Sequence, residues 1–194
     1  MLSYKESLKI LKETNALLDG HFILSSGLHT AQYIQCAQLL SKPFKSAKFC
    51  RSLSEKITKE FKGIDIILSP AMGGVVIGYE IGRLLSIETI FSERVNGEFI
   101  LRRDFNISTN SKVLIVEDVI TTGKSSLECA TLVEKAGAKV LGFACLIDRS
   151  IQNSKINKKI ISQIEINIPT YEENKLPKNL LSIPAVKPGS REVI

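Results

Sequence analysis

Apolar residues at positions 8, 10, 11, 17 and 18 recur at roughly helical spacing, and Asp19-Gly20 supplies a stop, so the chain opens with a predicted helix over residues 4 to 18. Phe22-Ile23-Leu24 and Tyr33-Ile34 then read as short strands around the turn-rich Ser25-Ser26-Gly27. Pro43 opens a second helix, with Phe44, Ala47, Leu53, Ile57 and Phe61 as its expected buried stripe. From residue 65 onward short apolar runs alternate with helical stretches. Asp65-Ile66-Ile67-Leu68 ends at Pro70-Ala71-Met72-Gly73-Gly74 and leads into a helix to about residue 85. Strands follow over residues 88 to 91, 112 to 116 and 140 to 147, with a helix over about 125 to 136. Strand and helix in this alternation imply an α/β fold: a central parallel sheet with right-handed crossovers and helices on both faces. Such sheets bind ligands at the carboxyl ends of their strands.

Two stretches interrupt that rhythm. Asn96-Gly97, flanked by Phe91-Ser92-Glu93-Arg94-Val95 and Glu98-Phe99-Ile100-Leu101-Arg102, signals a two-residue hairpin. The hairpin is expected to project as a basic arm bearing Arg94, Arg102 and Arg103. Strand alternation would point Arg102 and Arg103 to opposite faces, so that only one of them meets a substrate. Beyond Asp148-Arg149 the chain is polar and lysine-rich, regains a strand-like Gln163-Ile164-Glu165-Ile166, and ends in a tail spaced by Pro177, Pro184 and Pro188. No internal repeat or low-complexity block is visible.

Composition narrows the class. At 194 residues the chain suits one domain able to bury roughly two thirds of its unfolded surface. No apolar run approaches the roughly 20 residues that cross a bilayer, and the first residues lack a basic-then-apolar leader, so a cytoplasmic location without membrane contact is expected. Cys36, Cys50, Cys129 and Cys145 form no C-x-x-C pair, which argues against a zinc knuckle or dithiol site and for buried thiols. His21 and His29 have no Cys or carboxylate cluster around them, so a structural role is expected rather than a metal. The net charge of +6 favours polyanionic partners, whether nucleic acid or a phosphorylated small molecule.

The chemistry concentrates in Val113-Leu114-Ile115-Val116-Glu117-Asp118-Val119-Ile120-Thr121-Thr122-Gly123-Lys124-Ser125. A buried strand delivers two adjacent carboxylates, and a hydroxyl-rich turn with a glycine leads straight into a helix. Amides at a helix start and in the preceding turn form a cradle for phosphate. Thr121, Thr122 and Ser125 add hydroxyl donors, and Gly123 permits close backbone approach. Glu117 and Asp118 would repel a phosphate, and suit sugar hydroxyls or a bound Mg²⁺ instead. The bland alternative is that the two acids merely cap the next helix. Gly123-Lys124-Ser125 is not an ATP-binding loop of the Walker A type, because Asp118 stands where that pattern needs a glycine.

This segment resembles the phosphoribosyl pyrophosphate signature of the type I phosphoribosyltransferases. Further stretches narrow the resemblance to orotate phosphoribosyltransferases: Gly20-His21-Phe22-Ile23-Leu24-Ser25-Ser26-Gly27-Leu28-His29, Ser69-Pro70-Ala71-Met72-Gly73-Gly74, Leu101-Arg102-Arg103, Asp148-Arg149-Ser150 and Lys187-Pro188-Gly189-Ser190-Arg191. The resemblance implies a core of about residues 43–150 under a small hood formed by about 1–42 and 151–194. It further implies that Glu117 and Asp118 hold the ribose hydroxyls, and that residues 119 to 125 (Val119, Ile120, Thr121, Thr122, Gly123, Lys124, Ser125) form the phosphoribosyl site, with the 5′-phosphate on Thr121 to Ser125. Gly73 and Arg94 would lie near pyrophosphate, Thr121 and Arg149 would contact orotate, and Asp118 and Arg102 would serve catalysis. A guanidinium can grip orotate's planar carboxylate with two parallel hydrogen bonds; the plain alternative for Arg149 is an ion pair with Asp148. Mg²⁺ is implied mainly through the substrate, with Asp118 the one residue suited to touch it, and a mobile arm reaching a partner's site implies a homodimer.

The chain also departs from the family pattern. Its arm carries arginines where many members have lysines and a histidine, Gly73 and Ser25 replace lysines, and Lys175-Leu176-Pro177-Lys178 stands where paired cysteines occur in the nearest subgroup. The implied reaction gives orotidine 5′-phosphate and pyrophosphate in pyrimidine (UMP) biosynthesis. Two other readings remain open at this point: a phosphoribosyltransferase for a purine or uracil, and a non-catalytic regulator that senses a nucleotide and binds nucleic acid. No recognition helix or aromatic nucleic-acid motif supports the last.

Overall fold

Ser3 starts the first helix with a reciprocal cap: its hydroxyl accepts from the Glu6 N–H at 3.3 Å, and the Glu6 carboxylate accepts from the Ser3 N–H at 2.8 Å. In the computed structural model, which describes residues 1–150 and 154–188, that helix is α1 (Tyr4–Glu13), shorter than its apolar spacing predicts. The Thr14 hydroxyl donates back to the carbonyls of Ile10 at 2.8 Å and Leu11 at 3.1 Å, and Asn15 adopts a left-handed φ of 57°. The chain therefore leaves the helix there, and Leu17 and Leu18 enter strand β1 (Leu17–Ile23). There follow β2 (His29–Ile34), α2 (Cys36–Leu40), α3 (Pro43–Glu60), β3 (Ile66–Pro70), α4 (Gly73–Leu85), β4 (Glu88–Val95), β5 (Glu98–Leu101), β6 (Lys112–Ile120), α5 (Lys124–Lys135), β7 (Lys139–Asp148), β8 (Ile160–Glu165), β9 (Thr170–Tyr171) and α6 (Lys178–Leu181).

The large sheet runs β5-β4-β3-β6-β7-β8, parallel throughout except for the antiparallel edge strand β5. The strand expected over residues 163 to 166 begins earlier, at Ile160, and β8 pairs in parallel with β7. This part of the segment assigned to the hood therefore completes the large sheet. Apolar burial decides it: Ile164 points into the same core as Leu114 and Leu146. The Asn96-Gly97 hairpin forms as expected, with both residues at positive φ (50° and 89°) and Val95 opposite Glu98.

Helices cover both faces of the sheet, and from Val113 to Val116 β6 sorts its side chains between them by alternation. Leu114 and Val116 belong to the core packed with α3 and α4, containing Phe49, Leu53, Ile57, Ile77 and Ile81. Val113 and Ile115 belong to the core under α5, with Cys129, Val133 and Phe143. The expected stripe of α3 needs one correction, because Phe44 is 91% exposed while Phe49 is fully buried. At about 3.6 residues per turn, Phe44 lies about two and a half turns from Leu53 and so on the opposite side of the helix.

A small antiparallel sheet, β1-β2-β9, stands beside the large one. The tail runs alongside β1: the Ile23 N–H donates to the Val186 carbonyl at 2.9 Å and the Val186 N–H to the His21 carbonyl at 3.0 Å. His21 and His29 are buried in this sheet, 2.7 Å apart between Nε2 and Nδ1. Gly189, Ser190 and Arg191 of the tail motif lie outside the described residues. The four cysteines are buried and unbridged, and no helix among the described residues is long and apolar enough to cross a membrane.

Candidate active site

Three adjacent parallel strands, β3, β6 and β7, end together, and each passes directly into a segment singled out by the sequence. β6 runs through Glu117 and Asp118 to Ile120, with Val119 opposite Ile147 and Ile120 opposite Asp148. Val119 and Ile120 are thus strand, and the turn proper begins at Thr121. Its helix, α5, starts at Lys124, beyond reach of a cap from either acid, so the bland reading of the pair as caps of this helix fails.

Alternation sends the two acids to opposite faces. Glu117 continues the Val113–Ile115 side, toward α5, where the Ser126 hydroxyl donates to its carboxylate. Asp118 continues the Leu114–Val116 side, toward α4. A Cβ placed on Gly73 would meet both Asp118 carboxylate oxygens at 2.8 Å, so the glycine is what lets the start of α4 pass over that carboxylate. Asp118 Oδ1 accepts from the Val119 N–H at 2.9 Å. Burial pushes the Glu117 carboxyl up to about 7, against the opposing pull of the Ser126 hydrogen bond, and Asp118 is likewise raised chiefly by burial. Two carboxylates at a strand end, Glu117 buried and Asp118 half-buried, one on each side, can accept hydrogen bonds from the adjacent hydroxyls of a sugar.

The turn has the form an anion needs. Gly123 stands at φ 74° and ψ 11°, a left-handed conformation, and no side chain caps the helix it begins. A Cβ at Gly123 would also lie 2.7 Å from the Ile156 side chain, so a side chain there would have to push Ile156 aside besides adopting a strained backbone. The Lys124 N–H donates to the Thr122 hydroxyl at 3.4 Å, and Thr121, Thr122 and Lys124 are exposed around the uncapped helix start.

At the end of β7, Asp148 accepts from the Ser150 N–H at 2.7 Å and forms no ion pair with Arg149 among the described residues. Arg149 is half-buried, burial lowers its pKa, and its Nε has no hydrogen-bond partner among the described residues. An unsatisfied, sequestered guanidinium nitrogen costs free energy unless a ligand completes it.

The hairpin arginines are placed differently. Arg94 lies 4.1 Å from the Phe99 ring centroid and pairs with Glu128. Arg102 and Arg103 both reach Glu93, at 3.5 and 2.8 Å. The expectation that they point to opposite faces is corrected: β5 ends at Leu101, and Arg103 turns at φ 59°, so alternation no longer applies. The structure thus brings together Glu117, Asp118, the 121–125 turn, Gly73 and Arg149, and holds the arm arginines on acids of their own neighbourhood. Ser126 was missed from sequence. The available signal was a polar residue heading the inward stripe of Cys129, Ala130 and Val133 on α5.

Comparison with known proteins agrees with this geometry. The profile of the phosphoribosyl transferase domain matches residues 38–178. The chain belongs to the phosphoribosyl transferase family. It is 49% identical over 189 residues to the orotate phosphoribosyltransferase of Parvibaculum lavamentivorans, covering 95% of this chain and 97% of the relative. It is 44% identical over 188 residues to that of Erythrobacter litoralis, covering 96% and 97%. Among solved structures, orotate phosphoribosyltransferase from Aeropyrum pernix superposes with a TM-score of 0.71 at 22% identity, over 81% of this chain and 92% of that one. Adenine phosphoribosyltransferase from Thermoanaerobacter pseudethanolicus gives 0.59 at 17%, over 70% and 88%. At these identities the structural likeness establishes the fold alone.

Proposed function

We propose that this protein transfers the ribose 5-phosphate group of phosphoribosyl pyrophosphate to orotate, giving orotidine 5′-phosphate and pyrophosphate in pyrimidine (UMP) biosynthesis. The observation that carries the choice of base is Arg149: a sequestered guanidinium with an unsatisfied Nε, at the end of the strand beside the paired acids, suits an anionic planar base. Adenine or uracil carries no carboxylate to complete it. The high-coverage relatives are orotate enzymes, which supports the same choice.

In this reading the 5′-phosphate rests on the turn from Thr121 to Ser125 and the start of α5, while Glu117 and Asp118 accept from the ribose hydroxyls. The orotate ring nitrogen, losing its proton to solvent, attacks the anomeric carbon as the bond to pyrophosphate breaks beside Gly73, and positive character develops on the sugar. The two carboxylates then favour that charge by proximity and field, so the chain supplies positioning and electrostatics rather than a nucleophile. Thr121 and Arg149 orient the base. The hairpin with Arg94 and Arg102 is suited to close over the pyrophosphate once the pairs with Glu128 and Glu93 exchange for substrate, excluding water.

The donor set fits Mg²⁺ carried by the diphosphate. No group of three or more His, Cys, Asp or Glu able to hold a metal occurs among the described residues, and Mg²⁺ commonly binds through one or two carboxylates plus substrate phosphates. Asp118 would touch it, and the ion would supply neutralisation of pyrophosphate charge. A second copy of the chain is the occupant we assign to the apolar stripe at the start of α4, where Val76 is 54% and Tyr79 68% exposed one turn apart and Met72, just before the helix, is 85% exposed. Buried, unbridged thiols fit a cytoplasmic setting.

Mixing the purified protein with orotate, phosphoribosyl pyrophosphate and Mg²⁺ tests the reading directly through loss of orotate's ultraviolet absorbance. Consumption of adenine or uracil in its place would reassign the base, and no turnover with any base would remove the enzymatic reading.

A further inference from the structure

Ser126 is 0% exposed on the inward face of α5, where its neighbours along the stripe are Cys129, Ala130 and Val133. A hydroxyl in that position is costly unless satisfied, and it has a specific partner: it donates to Oε1 of Glu117, itself only 9% exposed. The nearby polar pair, Ser92 Oγ and Cys129 Sγ at 3.3 Å, satisfies itself and competes for neither. Among the described residues Ser126 is the single side-chain donor to the Glu117 carboxylate.

The length of the acid makes that donor matter. Glu117 has one more torsion than an aspartate in the same place, and a buried carboxylate free about that torsion would sample positions that no sugar hydroxyl can meet. With Oε1 tied to α5, the carboxylate has one orientation and Oε2 is left to accept from substrate. We infer that Ser126 is a positioning residue for ribose recognition: its hydroxyl, fixed in the α5 packing, holds the Glu117 carboxylate in the orientation that binds phosphoribosyl pyrophosphate. The inference rests on the reading of Glu117 as a ribose ligand.

Four forms of the full-length protein separate the two claims: wild type, Ser126→Ala, Glu117→Gln and the double variant. Ser126→Ala should raise the KM for phosphoribosyl pyrophosphate about 10-fold, as expected for one lost hydrogen bond to a charged group, and leave the KM for orotate within about twofold. In the Glu117→Gln background the same change should add nothing, because Ser126 acts through Glu117. The pH profile supplies a readout that packing alone would not move. Glu117 lies beside Ser126, Glu128 and Cys129 of α5 and Cys145 of β7, and Asp118 follows it on the opposite face of its own strand. The two acids are present in both forms, so loss of the hydroxyl donor should move the acidic limb of kcat/KM for phosphoribosyl pyrophosphate to higher pH. A Ser126→Ala protein with wild-type KM, or an equal loss in both backgrounds, overturns the inference. An unchanged KM in Glu117→Gln overturns the reading of Glu117 itself. Should Ser126→Ala not fold, the near-isosteric Ser126→Cys, a weak donor, carries the same expectation.

Discussion

The backbone N–H of Arg149 donates to the carbonyl oxygen of Ile120 at 2.8 Å, which ties the end of β7 to the end of β6 just where Glu117 and Asp118 give way to the turn at Thr121. The bond fixes the backbone of Arg149 beside that of Ile120, so in the proposed reading the base and the sugar are recognised from neighbouring strand ends. Arg149→Ala should therefore raise the KM for orotate roughly 10- to 100-fold, the range for losing hydrogen bonds to a charged group, with the KM for phosphoribosyl pyrophosphate within about twofold. Steady-state kinetics with each substrate varied decides it; equal losses in both constants would show a general collapse of the site instead.

Glu117 couples the site to pH. Its folded carboxyl is raised from 4.5 to about 7, so the folded protein holds a proton there that the unfolded chain has released. Stability is fully present below pH 4.5, falls as pH rises through the window to about 7, and is level above it. At about 1.4 kcal/mol per unit this amounts to about 3 kcal/mol. Glu117→Gln should flatten that slope in denaturant titrations at pH 5 and 7.5, leaving the decline from Asp118, which is shifted in the same direction. Identical slopes in the two proteins would contradict the burial argument.

Gly73 and Asp118 make a steric pair. With a Cβ 2.8 Å from both carboxylate oxygens, Gly73→Ala must displace Asp118 or the start of α4. A displacement on the scale of an ångström costs roughly 100-fold in rate. Turnover of Gly73→Ala should fall by that order with an unchanged circular dichroism spectrum, and Asp118→Asn should show a similar loss. Near-normal turnover in either variant would remove Asp118 from the mechanism.

The small sheet is latched by histidines. The Ile183 carbonyl can only accept, so the His21 Nδ1 at 2.9 Å carries the proton, and a neutral His21 then accepts at Nε2 from His29. His21→Ala strands the buried His29 Nδ1 and frees the Ile183 carbonyl, and should cost about 1–3 kcal/mol, lowering Tm by several degrees at about 2–4 °C per kcal/mol for a chain of this size. A melting temperature within about 1 °C of wild type would show that the contact does not hold the tail.

Much of this was legible in the chain itself. The alternation of short apolar runs with helical stretches specified the parallel sheet, because a strand buried on both faces must be continuously apolar, as Ile66, Ile67 and Leu68 are. Asn96-Gly97 specified the hairpin, since few other pairs tolerate positive φ twice in succession. The signature from Val113 to Ser125 marked the site because its carboxylates, hydroxyls and glycine are contiguous.

Local patterning misled where a competing contact lay elsewhere. α1 stops early because the Thr14 hydroxyl donates back to the Ile10 and Leu11 carbonyls and Asn15 turns left-handed, and Phe44 is exposed because helical phase, not hydrophobicity, assigns the inner face of α3.

What the sequence determined by itself is therefore everything encoded by neighbours along the chain: the strand, the turn, the acids and the type of chemistry they carry. Only the tertiary structure decided which way each acid faces and what it meets. Glu117 reaching Ser126, Asp118 lying across Gly73 and Arg149 left unsatisfied beside Ile120 all depend on the order in which strands sit side by side. That order is set by burial of apolar surface over the whole fold, which no local spacing records.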